Sequence, residues 1–325
     1  MTRPPKRTTG VDVARAAGVS PTTVSYVLND RPGQSIPEET RRRVVEAAQR
    51  LNYRPHASAR ALAAGRSDIV LLTIPDLPIG PSISRFVEEL AGSLAGHGLT
   101  LVTHLLGAHG RPLLDVCATL GPSAVLGLAP FDQDTVQALH RLGATVVLPT
   151  NVDQPPPWES VGRLQAEHVI QRGHRRIGYA LPENSSYRQM AEGRLLGVTN
   201  ACAAAGIAPP VVVTMDLEIT SSTRAVTAWK GQDVTAVCTF NDETAIVLLA
   251  GMREHGLHAP DDLAVIGVDD HPMARFASPP LSTVFFDVLE AGRHRAEAVL
   301  AALAGREGNF PISPTNPQVI ARSST

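Results

Sequence analysis

Hydrophobic and polar positions along the chain fall into two textures. Between Thr9 and Asn29 the run TGVDVARAAGVSPTTVSYVLN holds a helix start, a glycine turn and a second helix start, the spacing of a helix-turn-helix. Thr9 can cap the first helix, with Asp12 at its positive end, and Val13, Ala14 and Ala17 supply a face of small inward side chains. Gly18 ends that helix. Ser20 caps the next and Pro21 takes its first position, where a missing N–H costs nothing; Val24, Val27 and Leu28 point inward. Thr22, Thr23, Ser25 and Tyr26 therefore face wholly or partly outward, where short polar groups and an aromatic ring can reach base edges. A third helix starts near Pro37, with Val44, Ala48 and Leu51 completing the core and Arg41, Arg42 and Arg43 near the surface. Pro55 stops it, and HASARALAAGRS reads as a short, alanine-rich helix, marginal alone in water.

From Asp68 the texture changes to apolar runs separated by helical patterns: DIVLLTI, LTLVTHL, SAVLGLA, TVVLP, RRIGYAL, PVVVTM, AVCTF and LAVIGV. Continuous apolar strands alternating with helices mean parallel sheets covered on both faces. NVDQPPPWES separates two such sets, so the pattern predicts two doubly wound lobes with a ligand cleft beyond their strand ends.

Composition and charge refine this picture. No stretch approaches the roughly 20 apolar residues of a membrane span, and the basic start MTRPPKRTTG has neither the apolar segment nor the cleavage site of a secretory signal, so a cytoplasmic protein is expected. Cys117, Cys202 and Cys238 are widely spaced, without metal or disulfide spacing. The net charge of −2 conceals an asymmetry: residues 1–66 carry 12 basic against 5 acidic side chains, and the rest 17 against 26. A basic head on an acidic body suits nucleic acid, although charge alone is equally compatible with solvation. The clusters NDE and DDH offer neither a nucleophile–base pair nor a metal-ligand spacing, so neither enzymatic activity, a cofactor nor a metal is expected. A solute-binding protein would share the two lobes but lack the head and carry an export signal.

DVARAAGVSPTTVSYVLN, ETRRRVVEAAQRLNYRP and ARALAAGRS, in this order, resemble the LacI/GalR family of transcriptional regulators, and AEHVIQRGHRRIGYAL, AEGRLLGV and AVCTFNDETAIVLLAGMREHGLHAPDDLAVIGVDDHPMARFASPPLSTV extend the likeness over nearly the whole chain. The resemblance implies an all-α helix-turn-helix DNA-binding domain over 1–65, with a hinge helix at about 56–64. It is joined to a two-lobed α/β effector domain of the type I periplasmic-binding-protein kind over 66–325. Its first lobe would take about 66–158 and 284–314, its second about 159–283 and 315–325. The implied partners are a pseudo-palindromic double-stranded operator, a small-molecule effector and a second copy of the chain, with no membrane. Without apolar heptads at ARSST a zipper tetramer is not expected.

The implied DNA-contacting set is Thr9, Ser20, Pro21, Thr22, Thr23, Ser25, Tyr26 and Asn29, with Ala59 and Leu62 in the hinge. Leu62 would wedge into a minor-groove step; the alternative is a plain contact between hinge and body. Arg194, Asn241 and Asp269 fall where members hold their effector, and suit a sugar, nucleoside or similar polar metabolite. The alternatives are a surface ion pair for Arg194, and helix caps or loop ties for Asp242 and Asp270. The first lobe departs from the pattern. PIGPSIS stands where the family has an asparagine, a proline and paired aromatics, and Pro157 and Trp158 replace an acidic residue and an asparagine. The segment from Leu106 to Ala124 is short. Ser82, Ile83 and Trp158 either line an altered pocket, Trp158 stacking on a sugar face or planar base, or pack within loops.

Overall fold

The computed structural model describes residues 8–28, 36–53, 67–75, 79–107, 110–150, 158–306 and 317–325. The expectations for Asn29, Ala59, Leu62 and the hinge helix lie outside these residues.

The N-terminal unit is built from α1 (Gly10–Ala17), α2 (Pro21–Leu28) and α3 (Glu38–Arg50). The first starts in a reciprocal capping box: the Thr9 N–H donates to Asp12 Oδ2 at 2.9 Å, and the Asp12 N–H donates to Thr9 Oγ1 at 3.4 Å. It stops at Gly18, whose φ of 66° is the left-handed C-terminal geometry that glycine adopts without strain. Ser20 Oγ then accepts the Thr23 N–H at 3.1 Å and starts α2. Val13, Ala14, Ala17, Val24, Val27, Val44, Ala47 and Ala48 form the core, and Leu28 and Leu51 are only half-buried against it.

The first lobe contains β1 (Ile69–Ile74), α4 (Pro81–Ala95), β2 (Thr100–Leu105), α5 (Leu113–Leu120), β3 (Ala124–Gly127), α6 (Gln133–Arg141) and β4 (Val146–Leu148). Its sheet runs β2-β1-β3-β4, all parallel. The second lobe begins with α7 (Trp158–Gln171) and continues through β5 (Ile177–Pro182), α8 (Arg188–Ala204), β6 (Val211–Met215), α9 (Ile219–Lys230), β7 (Ala236–Thr239), α10 (Asp242–Glu254), β8 (Ala264–Val268) and β9 (Ser282–Phe285). After Phe285 the chain crosses back: Ala296 and Val299 of α11 (Val288–Leu303) share a core with Leu90 and Leu94 of α4. It then returns as β10 (Gln318–Ile320), antiparallel to β9, completing the order β10-β9-β8-β7-β5-β6. The eight apolar runs of the sequence are β1 to β8. Strands β9 and β10, of 4 and 3 residues, contain Ser282, Thr283 and Gln318 and so lack the apolar run of the others. No described helix is long and apolar enough to cross a membrane.

Helices α7 and α8 meet backbone to backbone. A Cβ on Gly162 would lie 1.8 Å from the Arg194 carbonyl oxygen, and one on Gly197 would lie 1.9 Å from that of Glu159. Alanine at either position gains up to about 1 kcal/mol of helix propensity. Overpacking against rigid backbone typically costs about 1–3 kcal/mol, and an approach this short belongs at the upper end. Gly197→Ala is therefore expected to lose about 2 kcal/mol of stability net, read as a lower urea midpoint.

Candidate functional site

The C-terminal ends of β7, β8 and β9, the start of α8 and the loop entering α4 enclose a cleft of about 240 Å³. This is the crevice that parallel α/β sheets leave beyond their strand ends. Gly80, Pro81, Ser82 and Ile83 close it from the first lobe, where the Ser82 hydroxyl donates to the Asp269 carbonyl at 3.5 Å. The second lobe supplies Trp158, Tyr187, Met190, Arg194 and the segment around Phe240.

Arg194 is only 4% exposed. Its Nη1 donates to the Phe240 carbonyl, its guanidinium lies 4.8 Å from the Phe240 ring centroid, and its Nη2 is 3.6 Å from Asp269 Oδ1. A buried cation needs such partners. Its Nε has no hydrogen-bond partner among the described residues and remains a donor for something else. Asp269, a third exposed, has φ of +101°, an uncommon conformation for an aspartate. Burial pushes its carboxyl above the usual range, with Arg194 opposing and Glu243 reinforcing. Asn241 caps α10: its Oδ1 accepts the Thr244 N–H at 2.9 Å and the Thr244 hydroxyl at 2.7 Å, while its Nδ2 donates to Glu243 Oε2 at 3.4 Å.

Thus Ser82, Ile83, Trp158, Arg194, Asn241 and Asp269, singled out from sequence, all line one cleft. Sequence reasoning missed Tyr187, Met190, Phe240, Glu243, His271 and Phe286, which line it too. A signal for two of these was present, since Tyr187, Met190 and Arg194 recur at helical spacing. Asp242 is a tie rather than a cap: its Oδ1 accepts the Thr283 hydroxyl and its Oδ2 the His271 N–H, each at 2.7 Å.

On α2, Pro21, Thr22 and Ser25 are exposed and Thr23 and Tyr26 half-buried, opposite the core residues Val24 and Val27. Thr9 and Ser20 are exposed as well, with their hydroxyls engaged in the caps, Thr9 Oγ1 on Asp12 Oδ2 at 2.7 Å and Ser20 Oγ with Thr23 Oγ1 at 2.9 Å.

Residues 11–56 match the model for bacterial regulatory proteins of the lacI family, and residues 166–325 that for a periplasmic binding protein-like domain. The transcriptional regulator GalR of Escherichia coli (strain K12) is similar at 31% identity over 335 residues, covering 96% of this chain and 94% of GalR. The chain belongs to the lacI family. The transcriptional repressor PurR of Photobacterium profundum is 29% identical, covering 96% of this chain and 97% of that repressor. The fold of the Lac repressor dimer bound to operator and the anti-inducer ONPF matches with a TM-score of 0.77 at 24% identity, over 98% of this chain and 99% of that one. This lacI-family fold is therefore a helix-turn-helix head with a two-lobed α/β domain.

One group of this lacI-family cleft gives a pH signature. Burial pushes Asp242 up to about 8, the Thr283 and His271 hydrogen bonds opposing and the Asp269 and Asp270 charges adding to the rise. Between the usual carboxylate value and about 8 the native state therefore holds a proton that the unfolded chain releases. Stability from this group is fully present below that window and is lost as pH rises through it. Urea unfolding at pH 5 and pH 8.5 should show wild type losing more stability across the interval than Asp242→Asn, which has no such proton. Parallel pH profiles for the two proteins would refute the assignment.

Proposed function

We propose that this protein is a sequence-specific DNA-binding transcriptional repressor whose operator affinity is set by a small polar metabolite held between its lobes. The observation that carries the reading is the pairing in one chain of an outward polar face on α2, within a strongly basic segment, with a cleft built around a buried, partly unsatisfied arginine. The proposed division places the reading head and hinge in residues 1–65 and the effector domain in 66–325. Thr22, Thr23, Ser25 and Tyr26 read bases, the caps at Thr9 and Ser20 approach phosphates with Pro21, and Asn29, Ala59 and Leu62 complete the contact. The protein acts in the cytoplasm as a homodimer on a pseudo-palindromic site, because one small head offers few base contacts and two-fold symmetry doubles them. The dimeric, operator-bound Lac repressor supports this by likeness of fold. On this reading it is a regulator that carries out no catalysis, which the regulator and repressor names of its relatives GalR and PurR support.

The cleft also indicates the effector's chemistry. Its volume of about 240 Å³ falls below the roughly 300–1000 Å³ of larger ligand pockets, which suits a compact metabolite. Trp158, Tyr187 and Phe286 supply ring faces, while Asp269 and Glu243 accept hydrogen bonds. Arg194, the guanidinium among the described lining residues, commits Nη1 to the Phe240 carbonyl and Nη2 to Asp269, which leaves its Nε alone for an effector, too little to hold a phosphate. The effector is therefore rich in donors and carries no phosphate, as a neutral sugar does. The metabolite shifts the DNA-binding equilibrium only by its differential affinity for the two states.

Selection of bound sequences from a random duplex pool should yield a roughly palindromic site whose binding weakens steeply with salt. Thr22→Ala or Tyr26→Ala should change which bases are preferred, with about 1–3 kcal/mol of discrimination removed at each base pair that the side chain reads. Altering Arg3, Lys6 or Arg7 should instead weaken binding to all sequences alike. An unchanged site profile for both α2 variants would show that another face reads the DNA.

Thermal unfolding of the full chain against neutral hexoses and their 6-phosphates tests the cleft. A neutral sugar at about 100 times its dissociation constant stabilises by about 2.7 kcal/mol, and this gain should vanish in Arg194→Ala. Stabilisation by the phosphates alone would reverse the assignment of effector class.

A further inference from the structure

The turn that carries Asp269 leaves β8 in a conformation that L-residues seldom adopt, with φ of +101° at Asp269 and +45° at Asp270. Such a turn persists only where its surroundings over-determine it. The Asp269 N–H donates to the Val284 carbonyl at 2.8 Å, the Asp270 N–H to Thr283 Oγ1 at 3.3 Å, and the His271 N–H to Asp242 Oδ2 at 2.7 Å. The side chain of Asp270 is held from the far end of the chain, by Arg322 Nη2 at 2.5 Å from its Oδ1, and the two side chains are 14% and 16% exposed. Neither residue lines the cleft.

Arg322 is itself fixed. Its Nη1 donates to the Leu281 carbonyl at 2.7 Å and its backbone N–H to Ser282 Oγ at 2.8 Å. Beyond it, Ser324 Oγ donates to the Val265 carbonyl at 2.6 Å, and Thr325 Oγ1 lies 2.7 Å from Ser282 Oγ and 2.9 Å from His168 Nε2. The last residues are thus bonded to β8, β9 and α7 together. Asp242, Asp269 and Asp270 place three carboxyls close together, and the cation on Asp270 is Arg322.

We infer that Arg322 is a positioning residue for the cleft: through Asp270 it holds the left-handed turn that presents the Asp269 carboxylate to Arg194 and to a bound effector. Its role toward an effector rests on the proposed reading of the cleft, whereas its hold on the turn does not. Without Arg322, Asp270 becomes a mostly buried carboxylate with no counter-ion among the described residues, and regaining its hydration favours swinging the turn outward.

The full-length protein, labelled with ¹³C at aspartate carboxyls, tests this without any ligand. Asp269 is assigned by its absence from Asp269→Asn and followed through a pH titration, together with the Cα shifts of residues 269 and 270. The groups acting on the Asp269 carboxyl are Arg194, Glu243 and His271, in addition to its own burial. Mere removal of a nearby cation would raise the Asp269 midpoint. Release of the turn into solvent lowers it toward the ordinary carboxylate value, and in Arg322→Ala a lower midpoint is expected, accompanied by loss of the left-handed shifts. Arg322→Lys should restore most of both. Should Arg322→Ala not fold, Arg322→Gln, which keeps a donor for Leu281, carries the same readouts. A folded variant with wild-type titration and left-handed shifts overturns the inference and reduces Arg322 to a stability latch. Because no ligand is involved, failure to find an effector leaves the result standing.

Discussion

The cleft is referred to the place where α7 and α8 touch through glycine. With no side chain between Gly162 and the Arg194 backbone, or between Gly197 and the Glu159 backbone, the two helices have one possible spacing and little freedom to slide. That spacing sets Trp158 against Gly193, where a Cβ would lie 3.1 Å from the tryptophan's own, and Trp158 and Arg194 both line the cleft. On the same helix Gln165 reaches under the sheet and donates to the carbonyls of Thr239, Ile266 and Gly267 at 2.9 to 3.2 Å. These residues precede Asn241 and Asp269. One helix contact thus fixes an aromatic wall, a buried cation and the ends of two strands.

The charged groups of this region sit where they do little for stability. An arginine this buried loses most of its hydration, and its ion pair with Asp269 at 3.6 Å repays that incompletely; such pairs are often no better than apolar replacements of the same shape. Asp242 is protonated in the native state at neutral pH only because burial and its neighbours disfavour its charge. Gly267 makes room for it, since a Cβ there would lie 2.0 Å from Asp242 Oδ1. The apolar clusters on both faces of the sheet sustain groups held at such cost.

The reading head follows a different logic. Its core is made of alanines and valines, so its helices depend on their ends: a capping box, a left-handed glycine and a serine cap supply hydrogen bonds that a small core cannot replace. The side of α2 opposite this core, with Pro21, Thr22 and Ser25, stays exposed, and it is the face proposed above to read a duplex.

The contrast between head and cleft explains what was legible. Thr9, Gly18, Ser20 and Pro21 mark helix ends through interactions spanning three or four residues, and eight strands show as uninterrupted apolar runs, because both signals are local. Arg194, Asn241 and Asp269 could be placed by motif, and their shared cleft appears only in three dimensions, since they lie on α8, at the start of α10 and after β8. For Asp242 the sequence allows either cap or tie; Asn241 is the cap because Asp242 meets Thr283 across the sheet, 41 positions away. Strands β9 and β10 contain Ser282, Thr283 and Gln318 and lack an uninterrupted apolar run, and the pairing of β10 depends on the chain returning from α11. The chain by itself determined where its elements begin, which faces are apolar and which end is basic. Only the tertiary structure decided which polar side chains share one buried space, because that depends on glycine contacts and strand ends whose partners are remote in sequence.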